Sequence, residues 1–187
     1  LGKSHDTGQL PAWSYLLWWP FLLLNHLYTA AHTRIGVERG VPYATEVAAG
    51  WWLGGRYGGQ FVKRWSAIID CTAEFDQLAY RRTVRFLLIP SWDGVPPTPA
   101  QIEDAAQLTS RAAAGGDVLV HCAHGRGRST TVIVACLVRA GLYPSWEDAF
   151  EAVRLKRPVV KLNRKMRAAL SEWSQEYGSS AVVQPSR

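Results

Sequence analysis

Cysteine is scarce in this 187-residue chain: there are three, Cys71, Cys122 and Cys136. An odd, sparse set builds no disulfide framework, so the expected location is intracellular, in a reducing compartment. No second His/Cys cluster accompanies His121, Cys122 and His124, which leaves a structural zinc site short of ligands. Internal repeats and low-complexity runs are also absent, which excludes solenoids and long linkers. Acidic residues are the minority sign, 15 against 21 Lys+Arg, for a net charge of +6. That excess suits anionic partners such as phosphates or acidic headgroups, and serves equally as a solubilising surface. It comes with no aromatic–basic platform, so nucleic acid is not an expected partner. An initial Met is missing as well: the chain starts at Leu1, as expected of a piece of something longer, with any upstream signal unseen.

Another absence is local. Between residues 7 and 33 there is no Asp, Glu, Lys or Arg, and the centre reads Leu16-Leu17-Trp18-Trp19-Pro20-Phe21-Leu22-Leu23-Leu24. A membrane span needs ~20 mainly apolar residues. Trp13, Trp18, Trp19 and Tyr28 are types favoured at a bilayer interface, whereas Pro20, Asn25, His26 and His32 interrupt the run. Three readings stay open for this apolar helical extension, residues 1–40: a buried cap on the rest of the chain, a helix lying in a membrane surface through residues 10–32, or the end of a transmembrane region.

What is present reads as one α/β domain over residues 41–178, with a loose tail at 179–187. Short apolar runs at 50–55, 65–71, 84–89 and 118–120 predict buried strands. Helices are expected over 99–114, with Thr98 as N-cap and Pro99 at the first position, and over 129–140, 145–157 and 162–177. Ser145 and Asp148 suggest a capping box for the third of these. Strands separated by helices imply a central, mainly parallel sheet flanked by helices.

The chemistry lies after the last strand, in His121-Cys122-Ala123-His124-Gly125-Arg126-Gly127-Arg128-Ser129. A strand feeds a tight loop and a helix leaves it, so backbone N–H groups converge on an anion site. Gly125 and Gly127 permit the curl. Arg128 offers a planar fork to two phosphate oxygens. Cys122 stands in this positive field, which lowers a thiol from ~8.5 to about 3.5–7.5 and makes a nucleophile. Ser129 can donate a hydrogen bond to its sulfur.

Cys-x5-Arg followed by Ser resembles the signature of the protein tyrosine phosphatase superfamily. The small domain, with its motif late in the chain, resembles the dual-specificity branch. A rhodanese-like sulfur carrier also heads an anion loop with cysteine, but the Arg128-Ser129 pair favours the phosphatase. The resemblance implies a general acid on a mobile loop upstream of the cysteine, and Asp93, within Pro90-Ser91-Trp92-Asp93-Gly94-Val95-Pro96-Pro97, fits it. Glu103 and Asp104 are the runners-up, expected on the exposed face of a helix. The resemblance further implies His121 as a supporting residue, a possible redox partner in Cys71, and no cofactor or metal. Residues Ala123 to Arg128 would hold the substrate phosphate.

Two substrate classes follow. The branch implies phosphotyrosine, phosphoserine and phosphothreonine proteins. Arg126, His124 and the segment Asp70-Cys71-Thr72-Ala73-Glu74 resemble features of phosphatidylglycerophosphate and phosphoinositide phosphatases, and the apolar extension would suit a membrane-associated phospholipid substrate. Ala123 departs from those loops, which carry lysine there. A non-catalytic phosphate-binding module is the third reading.

Overall fold

The structure, a computed structural model, describes residues 1–60, 64–78 and 82–178. The tail at 179–187 lies outside the described residues. Among the described residues five strands form one mixed, mainly parallel sheet: β1 (Ala44–Ala48), β2 (Trp51–Gly54), β3 (Trp65–Asp70), β4 (Thr83–Leu88) and β5 (Val118–His121), in the order β1-β2-β5-β3-β4. Only β1 runs antiparallel, as the partner of β2 across a turn at Gly50 (φ 75°). Strand β1 has no counterpart in the sequence reading. A register shift between Glu46 and Ala48 breaks its alternation, so only Ala44 and Val47 are buried.

β5 is central and buried from end to end, which is why it reads as an unbroken apolar run. Successive side chains leave opposite faces. Val118 and Val120 join Leu53, Ala67 and Ile69 in the main core, beneath the helices α2 (Pro99–Ala113), α3 (Arg128–Arg139), α4 (Trp146–Lys156) and α5 (Arg164–Tyr177). Leu119 joins Ile68, Trp65 and Ala44 on the other face.

Capping chemistry sets three of the helix starts. Thr98 and Gln101 form a reciprocal capping box on α2. Ser145 accepts from the Asp148 N–H on α4, but its hydroxyl donates to the Asp148 carboxylate, so the box is not reciprocal. α5 begins at Arg164 rather than at residue 162 because Asn163 caps it, accepting from the Met166 N–H. α3 differs: its N-cap is Gly127 and no side chain caps it. Its first-turn N–H groups are left for whatever the preceding loop holds.

The N-terminal segment folds back onto the sheet's carboxyl end. α1 (Ala12–Glu38) is one long helix with non-helical angles at Trp18. Pro20 explains the kink, because it cannot donate to the preceding turn. The helix crosses the loops that follow β3, β4 and β5. His26 lies 5.2 Å from the Phe75 ring, Phe21 lies 6.0 Å from Trp92, and His32 lies 4.4 Å from His124. Ahead of it, Lys3 donates to Asp70 Oδ2 (2.7 Å) and to the Thr72 carbonyl (2.8 Å), a buried pair at the tip of β3. Among the described residues no helix is long and apolar enough to cross a membrane.

Candidate active site

The parallel register aligns three strand ends. Gly54 and Asp70 both sit opposite His121, so the loop 122–127 leaves at the carboxyl edge, where open α/β sheets bind ligands. The curl of that loop has a visible cause. Gly125 has φ 67°, and a Cβ there would come within 2.5 Å of the Gly54 carbonyl carbon. The loop's carbonyls are tied outward. Arg157 Nε donates to the Gly125 carbonyl (2.9 Å) and its Nη2 to that of His124 (3.3 Å), while its Nη1 reaches the Pro42 carbonyl (3.0 Å) and Thr45 Oγ1 (2.9 Å). The Ala123 carbonyl accepts from the Arg56 N–H (3.0 Å) and the Arg126 carbonyl from the Lys161 N–H (2.9 Å). With carbonyls facing out, amide N–H groups face in.

Cys122 lies at the centre of this cradle, only 3% exposed. The Ser129 hydroxyl donates to its sulfur at 3.2 Å. Burial alone would push the thiol up, but the Arg128 guanidinium, the Ser129 hydroxyl and the N–H groups of Ser129 and Arg126 together hold it below its ordinary value. Arg128 is 1% exposed and remains cationic: its burial is outweighed by Cys122 and Glu74. Glu74 grips its fork with two bonds, Nη2 to Oε1 at 2.8 Å and Nη1 to Oε2 at 3.0 Å. The Ser91 carbonyl accepts a further bond from Nη1 (2.6 Å). Its Nε is buried without a hydrogen-bond partner, a donor left over where buried donors are ordinarily satisfied.

Asp93 is on the loop after β4, its side chain 87% exposed and Oδ1 3.6 Å from Arg128 Nη2. Asn163 Nδ2 donates to the Gly94 carbonyl (2.9 Å), tying this loop to the start of α5. Tyr28, His32, Asp93, Cys122, Arg126 and Arg128 all line one cavity of about 310 Å³. A second cavity of similar size, about 330 Å³, lies between α1 and the turn at 56–60, lined by Thr33, Tyr43 and Tyr57. Its lining holds no cysteine and no carboxylate, so the chemistry assigns the first.

His121 is buried, with Gln77 Nε2 2.6 Å from its Nε2, and burial lowers its pKa. His124 is also neutral near pH 7: burial, His32 and Arg126 push it down to about 4. Among the described residues no group of three or more His, Cys, Asp or Glu is placed to hold a metal. Cys71 is a free thiol pushed well up by burial, and its carbonyl lies 3.4 Å from Arg128 Nη1.

The structure corrects one runner-up acid. Asp104 is exposed as expected, but Glu103 is buried. It accepts from Arg139 Nη2 (2.6 Å) and Trp173 Nε1 (2.9 Å) at the end of α3 remote from Cys122. Its position on a polar-looking turn hides two partners brought by other helices. Glu74, Arg157, Asn163, Tyr28 and His32 are site residues that sequence reasoning does not assign. Glu74 had one signal, the acidic segment after β3. The others had none, because their partners arrive from distant parts of the chain.

A family model, "Dual specificity phosphatase, catalytic domain", matches residues 62–176. Dual specificity protein phosphatase 15 of Rattus norvegicus is 40% identical over 60 residues, covering 32% of this chain and 25% of that protein. Dual specificity phosphatase 28 of Mus musculus is 34% identical over 87 residues, covering 46% and 49%. The matched stretches thus span a quarter to a half of these curated relatives. The crystal structure of human DUSP28 superposes with a TM-score of 0.60 at 23% identity, over 73% of this chain and 96% of that one. That of PTPMT1 gives 0.63 at 22% identity, over 76% and 100%. At such identities the two structures share the fold.

Proposed function

This chain belongs to the dual-specificity phosphatase family, and from that premise we propose that it hydrolyses phosphate monoesters through a phosphocysteine on Cys122. The thiolate attacks phosphorus, forming the S–P bond as the bond to the ester oxygen breaks, and Asp93 gives that oxygen its proton. Water then attacks phosphorus and passes a proton to the Asp93 carboxylate. The S–P bond breaks and its electron pair returns to sulfur, eased by the Ser129 hydroxyl. Arg128 and the amides of Ala123 to Gly127 hold the equatorial oxygens, where charge accumulates. Arg128 and the amides supply the positive charge in this scheme, so it uses no metal or organic cofactor.

The observation that carries the proposal is convergence: Cys122 and Asp93 line one cavity with Arg128, whose Nε has no partner. The substrate class follows the family first, as phosphotyrosine, phosphoserine and phosphothreonine in proteins. The apolar helix beside the cavity favours a second reading, a membrane-associated phospholipid. Phosphate release from phosphopeptides and from phosphatidylglycerophosphate or phosphoinositide vesicles, with Cys122→Ser as control, tests both. Release abolished by Cys122→Ser supports the chemistry. Release unchanged in that variant refutes it, and no release by the wild type returns the chain to a phosphate-binding module.

A further inference from the structure

A helix on a globular domain turns its apolar stripe inward. α1 has no such inward stripe: its buried positions are Ser14, Leu22 and Thr29, while Leu16, Leu17, Trp19, Leu24 and Leu27 are all more than half exposed. The patch does not end with the helix. Phe21 meets Trp92 edge-on, and Trp92 and Val95, on either side of Asp93 and Gly94, are themselves exposed. Tyr28, also exposed, lines the Cys122 cavity. An apolar surface therefore runs from the middle of α1 to the rim of the site. Soluble monomers rarely expose contiguous apolar patches beyond about a few hundred Å², and larger ones mark binding surfaces.

Three observations choose the occupant. The stretch from 7 to 33 has no formally charged side chain, whereas protein interfaces carry a polar rim. Trp13, Trp18, Trp19 and Tyr28 are exposed together, and these rings settle at headgroup level in a bilayer. Arg126 and Lys161 line the adjoining cavity in a chain of net charge +6, complementary to anionic headgroups. The kink at Trp18 and the interrupting Asn25, His26 and His32 speak against a helix that crosses the bilayer, and no helix among the described residues is long and apolar enough to do so.

We propose that α1 and the Trp92–Val95 loop seat the protein on an anionic phospholipid bilayer, turning the Cys122 cavity toward phosphomonoester headgroups. The orientation rests on the phospholipid reading of that site, but seating itself requires no turnover. The test therefore uses the full chain carrying Cys122→Ser, sedimented with vesicles of phosphatidylcholine plus phosphatidylglycerol or of phosphatidylcholine alone. The expected result is co-sedimentation with the mixed vesicles, weaker with the neutral ones, and tryptophan emission moved to shorter wavelength. Adding L16S/L17S/L24S should weaken partitioning roughly tenfold or more, because each leucine loses its apolar contact. The melting temperature should fall by only a few degrees, since these side chains already face water and the change costs mainly helix propensity. Absence of co-sedimentation with either vesicle, or equal partitioning by the leucine variant, overturns the proposal. So does a dimer that the leucine variant dissociates while no vesicle is bound, which assigns the face to a second copy. Wild-type hydrolysis of a soluble aryl phosphate is measured separately, so loss of seating is not mistaken for failure of the Cys122 chemistry.

Discussion

Replacing Glu74 by Gln should unfold the protein more easily while leaving the nucleophile at least as acidic. The two carboxylate oxygens hold both terminal nitrogens of Arg128 at 2.8 and 3.0 Å, with side chains only 1% and 6% exposed. Solvent screening is therefore small. Removing one partner of a buried pair costs about 3–5 kcal/mol, since the surviving charge is left uncompensated. Gln preserves the volume and one acceptor, and the Ser91 carbonyl still takes a bond from Arg128, so the lower end, about 3 kcal/mol, is expected. For a domain of this size about 1 kcal/mol lowers Tm by roughly 2–4 °C, which puts the drop at about 6–12 °C by circular dichroism. The Cys122 titration should move the other way or not at all. Glu74 partly neutralises the guanidinium that favours the thiolate, so its loss strengthens the field at sulfur. Alkylation rate against pH reads that titration. A Tm within about 2 °C of wild type, or a thiol moved upward, would refute the view that Glu74 holds Arg128 as a buried counter-ion.

Gly125→Ala should cost roughly 2 kcal/mol or more and abolish phosphate binding, because the new Cβ meets the Gly54 backbone at 2.5 Å with φ at 67°; wild-type binding in a vanadate titration would contradict this. Asp93→Asn should slow release from alkyl phosphates by roughly a hundredfold but affect good leaving groups little, and equal rates on both would move the acid elsewhere. Stability should fall as pH drops from about 6.5 toward 4. His124 titrates at about 4 when folded and at 6.5 otherwise, and His26, His32 and His121 are shifted the same way. In that window the unfolded chain binds more protons, so folding weakens with acid. Urea midpoints at pH 7 and pH 5 check it, and a midpoint higher at pH 5 would reverse the sign.

Much of the site is a local property of the chain. A strand, a loop with glycine where φ is positive, and a helix left without a side-chain cap are contiguous in 118–139, so Cys122, Arg128 and Ser129 could be named from neighbours alone. The strands β2 to β5 and the helices α2 to α5 were legible for the same reason, since period and caps are short-range signals. The supporting contacts were not legible. Arg157 crosses to Pro42 and Thr45, Glu74 to Arg128, and Lys3 to Asp70. Each of these buried charged groups finds its hydrogen-bonding partner far away in sequence, and no local pattern encodes that pairing. β1 was hidden by its bulge. The apolar N-terminal run announced a helix, but composition cannot say which side of a helix meets the domain. Only the packed loops after β3, β4 and β5 decided that α1 buries Ser14, Leu22 and Thr29 and leaves its other leucines and its tryptophans facing outward.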